Sequence, residues 1–167
     1  QVNSGGWGGN TTTISSEGIF NISFRVIDVA GNTVSVAESV SIDLNPPVIE
    51  YSISGGSGGY YGSSVTISGG STDSASGVAS EEVRIDGGAW AAPGTFTLAE
   101  GNHTIEYRVT DNAGHVSTTS ETITVDVSPP AVSLEMPNTC SGELIFSGSA
   151  TDPSGISSAE IVIDGSS

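Results

Sequence analysis

Apolar and polar residues alternate along most of this chain. Ile105, Tyr107 and Val109 alternate with Thr104, Glu106 and Arg108, and Ile123, Val125 and Val127 with Thr122, Thr124 and Asp126. Val83 and Ile85 alternate with Glu82, Arg84 and Asp86, and Val65 and Ile67 with Thr66 and Ser68. A period of two with one apolar side is the pattern of strands covering one face of a core. A 3.6-residue periodicity is absent, so no helix is predicted. Gly-rich turns separate the apolar runs at short, regular spacing, which predicts about seven short antiparallel strands per unit of roughly 83 residues.

That unit is an internal repeat. Shifted by 83 residues, the chain matches itself without a gap from Val2 to Pro47. Trp7 falls on Trp90, Phe24-Arg25-Val26 on Tyr107-Arg108-Val109, and Asp28 on Asp111. Asp43 and Pro46-Pro47 fall on Asp126 and Pro129-Pro130. A second match runs from Pro46-Pro47 through Asp86 onto Pro129-Pro130 through Asp164, with Asp73 on Asp152, Ser76-Gly77-Val78 on Ser154-Gly155-Ile156 and Ile85 on Ile163. The predicted organisation is the back half of one repeat (1–45), a complete repeat (46–128) and the front half of another (129–167). Each Pro-Pro pair fixes φ and removes ladder donors, which makes a short, stiff linker.

The stretch Ile85-Asp86-Gly87-Gly88-Ala89-Trp90, followed by Glu100-Gly101-Asn102-His103-Thr104-Ile105-Glu106-Tyr107-Arg108-Val109-Thr110-Asp111-Asn112-Ala113-Gly114, resembles prokaryotic immunoglobulin-like repeats. The resemblance implies an all-β fold of tandem immunoglobulin-like antiparallel β-sandwiches. It also implies tandem occurrence in large secreted or cell-surface proteins of bacteria and archaea, a spacer, adhesive or surface-structural role, and no catalytic residues. Asn32 follows Ala30-Gly31 as in the family, whereas the second copy has His115 at that place.

Composition narrows the partners. The formal net charge is −16, with 19 acidic residues against 3 basic ones, all arginine, and no lysine. Such a chain repels phosphate and anionic lipid, which argues against nucleic acid and membrane surfaces. No apolar run approaches the roughly 20 residues that span a bilayer. Without lysine there is no Schiff base and no Lys–Asn isopeptide staple. With one cysteine, Cys140, there is no disulfide within the chain; Cys140 is a free thiol or an intermolecular link. The first residue is Gln, which reads as a processed or excised piece.

The aspartates are the main candidate site. In a sandwich of this kind the loop between the second and third strands, the loop between the last two strands and the entering linker share one end. Asp43 is therefore expected near Asp73 and Asp111, and Asp126 near Asp152. Converging carboxylates suit Ca²⁺, a hard cation taking 6–8 oxygen ligands. The competing reading, that each Asp caps its own turn, takes precedence, because the spacing matches no dedicated calcium loop.

Trp90, with Tyr60 and Tyr61 in a Gly-rich loop, are candidate sugar-stacking residues. Recurrence of the tryptophan at Trp7 favours packing over the edge of the core instead. His103, replaced by Phe20 in the first copy, is expected to face the core. Arg25 and Arg108 are expected to point outward and pair with carboxylates. Asn10, Asn21 and Asn102 fit the N-glycosylation pattern. The three His and Cys residues are too few for a zinc site, and no strained nucleophile turn opens a helix, so an enzyme is not expected.

The expected function is a structural segment of an extracellular stalk, surface layer or filament. The alternatives are an adhesin or glycan-binding module and accessory repeats of a secreted polysaccharide-active enzyme. Neither terminal half covers its own apolar face. A window cut from a longer array explains this with no special device and is preferred; head-to-tail complementation between subunits is the other explanation.

Overall fold

A computed structural model describes residues 13–163. Among them there is no helix, and ten strands follow in order. The first two, β1 (Gly18–Ile27) and β2 (Thr33–Ile42), form an antiparallel hairpin paired from Gly18↔Ile42 to Ile27↔Thr33. The next six are β3 (Tyr51–Ser57), β4 (Tyr60–Gly69), β5 (Val78–Ile85), β6 (Thr95–Thr97), β7 (Gly101–Asp111) and β8 (Val116–Val125). The last two, β9 (Ala131–Glu135) and β10 (Ser147–Thr151), form a second antiparallel pair.

β4 explains how one set of strands makes a sandwich-like arrangement. One edge pairs with β3; the other pairs with β8 at Tyr60 and Tyr61 and with β6 at Ser64–Thr66. A strand that changes partner along its length joins two layers, here β3-β4-β6 and β8-β7-β5. The β4–β8 contact is parallel, against the expectation of antiparallel pairing throughout. The reason is local: the turn at Gly58-Gly59, both at positive φ, reverses β3 into β4, so β4 starts alongside the end of β8 running the same way. Residues 46–128 carry six strands rather than seven, with isolated bridges at Val48–Thr72 and Val83–Ala91.

The core follows the period of two. Val65 and Ile67 of β4, Val83 of β5, Ile105, Tyr107 and Val109 of β7, and Ile123 and Val125 of β8 are all buried. In β7 the intervening Thr104, Glu106, Arg108 and Thr110 stay partly exposed. A β-bulge at Ser54–Gly56 sits where Gly55 has φ +108° and its missing side chain faces the Ser64 carbonyl.

Contacts divide the chain into two compact units. One comprises Gln1–Glu50, Gly70–Glu82 and Tyr107–Thr119; the other comprises Tyr51–Gly69, Val83–Glu106 and Ser120–Ser167. The first holds the β1–β2 hairpin, the Pro46-Pro47 linker and the loops around Asp73 and Asp111. The second holds most of the buried aliphatic core and the β9–β10 pair.

Candidate functional site: the carboxylate joints

The β1–β2 and β7–β8 turns are built alike. Asp28 accepts Asn32 N at 2.7 Å through Oδ1, and Asp28 O accepts Gly31 N at 3.0 Å. Asp111 accepts Ala113 N and His115 N through Oδ1 at 2.8 and 2.9 Å. Gly31 and Gly114 supply the positive φ that each turn needs. The Asp111 side chain is fully covered. Burial pushes its carboxyl up, but the bonds from His115, Gly114 and Ala113 outweigh that and hold it below the usual range.

Around the first Pro-Pro linker the first unit is bonded on every side. Asp43, 8% exposed, accepts Asn45 N at 3.0 Å and the Ser76 hydroxyl. The same hydroxyl reaches Asp73, whose Oδ1 also accepts Ala75, Ser76 and Gly77 N at 3.2, 2.8 and 2.8 Å. Those backbone donors, Ser76 foremost, hold Asp73 below its usual pKa. The amide of Asn45 donates to Glu17, Ser117 Oγ donates to the Pro47 carbonyl at 2.6 Å, and Val48 exchanges backbone bonds with Thr72 at 2.8 and 3.0 Å. One ligand atom each from Asp43, Asp111 and His115 lies within 4.8 Å of the others. The structure thus brings Asp43 beside both Asp73 and Asp111.

The second unit repeats the device 83 residues later. Asp126 accepts Ser128 N at 3.1 Å, as Asp43 accepts Asn45 N. Ser128 Oγ donates to Glu100 at 2.6 Å, as Asn45 donates to Glu17. Asp152 accepts Ser154 N at 2.9 Å and its hydroxyl, and Ser154, with Asp126 alongside, keeps the Asp152 carboxyl low. Every one of Asp43, Asp73, Asp111, Asp126 and Asp152 therefore caps its own turn through a backbone N–H. The glutamates at 17 and 100 are functional partners that sequence reading missed, although their recurrence as Glu-Gly in both copies was a usable signal.

The other candidates are placed as follows. Tyr60 and Tyr61 are not loop residues but the first residues of β4; with Asp126 and Ser154–Ser157 they line an open groove of about 540 Å³. The Tyr61 ring packs against Gly56, which leaves no room there for a Cβ. Trp90 does not line that groove; the Arg84 guanidinium lies 4.7 Å from its ring centre while gripping Glu106 with two bonds of 2.5 and 2.7 Å. Arg108 pairs with Glu82 at 2.7 Å. Asn21 and Asn102 are exposed in β1 and β7, and Thr124 donates to Asn102 at 2.8 Å. Cys140 is an exposed free thiol. Trp7 and Asn10 lie outside the described residues.

His103 corrects the expectation of an apolar, core-facing role. Its Nδ1 lies 2.7 Å from Asp86 Oδ2 and its Nε2 2.9 Å from the Ala99 carbonyl. It is a polar tie across a turn, where Phe20 in the first copy can only pack. At Tyr107, burial first and Glu81 second push the hydroxyl up to about 12.

Residues 7–44 match the family model of a bacterial Ig-like domain. No curated protein matches the chain. With the helix-free, sandwich-like arrangement, this match supports a bacterial Ig-like domain, a class of module that is typically non-catalytic and at most structural or surface-borne.

Proposed function

We propose that this chain is a run of tandem Ig-like repeats, divided at 1–45, 46–128 and 129–167, that serves as a stiff extracellular spacer in a stalk, surface layer or filament. The observation that carries this reading is the recurrence of one bonding pattern at Asp43 and at Asp126, 83 residues apart, each beside a Pro-Pro linker. A repeat used for reach needs its linkers fixed, and here hydrogen bonds and proline do that together. The carboxylates act as turn caps that place the linker, with no catalytic role.

Calcium at Asp43, Asp73 and Asp111, with Asp126 and Asp152 at the next joint, is the second reading; the close approach of Asp43, Asp111 and His115 favours it. Glycan binding in the Tyr60–Tyr61 groove remains the adhesin alternative, supported by the ring beside a carboxylate. ¹⁵N relaxation tests the spacer reading. The β1–β2 hairpin and the 70–82 loop are expected to share one correlation time, and Asp43→Ala with Ser76→Ala to separate them. Independent tumbling in the unmodified chain refutes a fixed joint.

A further inference from the structure

The apolar residues of the two terminal segments occupy the positions that are buried in the central repeat, yet they are exposed. On the hairpin, Ile22 corresponds to Ile105 and Val40 to Ile123; Ile22 is 50% and Val40 42% exposed, while both counterparts are buried. The pairing register puts Ile22, Val34, Val36 and Val40 on one side of the hairpin, because residues directly opposite in an antiparallel pair share a face. On the C-terminal segment, Leu144 corresponds to Val65 and Ile161 to Val83; Leu144 is 44% and Ile161 61% exposed, again against buried counterparts.

These two faces are not alike. Each carries the half of the core that the other lacks, as β4 and β5 on one side and β7 and β8 on the other supply it in the central repeat. There the two halves are also joined by backbone pairing, Tyr60 with Thr124 and Tyr61 with Val125, and by Asp86 N donating to Thr104 O at 2.9 Å. The surface that fits the hairpin is therefore specified within this same sequence.

We propose that the exposed face of the β1–β2 hairpin of one copy of this chain is covered by the 129–163 segment of a second copy, in a head-to-tail contact that rebuilds the buried arrangement of the central repeat. The inference rests on the sandwich-repeat reading above. Because the two faces differ, the contact is heterologous, and it extends into chains rather than closing as a symmetric dimer. Burial of the aliphatic faces drives it, and ladder hydrogen bonds set its register.

The test uses the whole chain in reducing buffer, so that Cys140 forms no crosslink, with mass measured by light scattering and sedimentation. One variant carries Ile22→Asp and Val40→Asp; the other carries Leu144→Asp and Ile161→Asp. All four positions are already exposed, so the substitutions do not touch the central core. The unmodified chain is expected to grow in mass with concentration. Each variant alone is expected to stop at the 16.7 kDa monomer, and their equimolar mixture to give a 1:1 dimer of twice that mass. A monomeric unmodified chain, a monomeric mixture, or polymers from either variant alone overturns the proposal. Cooperative unfolding of residues 46–128 is followed in the same samples. If it persists while association fails, only the self-association is wrong; if it is absent, the repeat reading fails with it.

Discussion

The imidazole of His103 stands between two acceptors, Asp86 Oδ2 at 2.7 Å and the Ala99 carbonyl at 2.9 Å. Neither acceptor can donate a hydrogen, so both ring nitrogens must, and the arrangement selects the doubly protonated ring. The Asp86 bond foremost, then the Ala99 carbonyl, raises the His103 pKa above 6.5, and the same His103 bond foremost lowers Asp86 below 3.8.

A pH window for stability follows. The His103 contribution is complete below about pH 6.5 and is lost as pH rises through the raised folded value. The Asp86 contribution is complete above about pH 3.8 and is lost as pH falls through the lowered folded value. Thermal melts should therefore show a plateau between these limits and a decline on both sides. His103→Phe, the residue that the first copy uses, should remove the decline on the neutral-to-alkaline side, and an unchanged slope in that variant refutes the assignment.

Gly55→Ala should be costly despite its small size. The backbone there has φ +108° and the new methyl would overlap the Ser64 carbonyl oxygen. Strain of this kind costs about 1–3 kcal/mol. Chemical denaturation should place the variant's midpoint lower, while Gly58→Ala in open space should lose less.

Ile105→Ala should destabilise the central repeat by about 2–5 kcal/mol, the usual cost of a cavity at a fully buried aliphatic site. Ile22→Ala, at the equivalent exposed position, should shift the same transition by no more than about 0.5 kcal/mol when the chain is dilute. The comparison is made by denaturant unfolding monitored at Trp90.

Much of this was legible in the chain and some was not. Alternation marked Ile105, Val109, Ile123 and Val125 as core, because burial on one face of a strand imposes a period of two. The 83-residue shift brought Asp43 and Asp126 into register, and both lie in equivalent joints. The role of His103 was hidden, since its partner Asp86 is 17 residues away across a turn. The parallel β4–β8 contact was hidden for a related reason. A two-residue pairing between Tyr60-Tyr61 and Thr124-Val125 leaves no periodic trace.

Calcium should add little. The five candidate aspartates already accept backbone N–H groups, and three converging side chains fall short of the 6–8 oxygens calcium takes. At 1 mM Ca²⁺ the stabilisation relative to EDTA should be below about 0.4 kcal/mol, the value for a Kd no tighter than 1 mM. A clear rise in melting temperature that Asp43→Asn or Asp111→Asn abolishes would install the cation reading instead.

The bonds from Ser117 to the Pro47 carbonyl, from Ser76 to Asp43 and from Asn45 to Glu17 have a geometric consequence. A string of freely swivelling modules grows in end-to-end distance only as the square root of their number. Modules locked at every joint grow in direct proportion to it. With joints of this kind, adding or deleting one 83-residue copy changes the protein's span by a fixed step, so the copy number itself becomes a measure of distance.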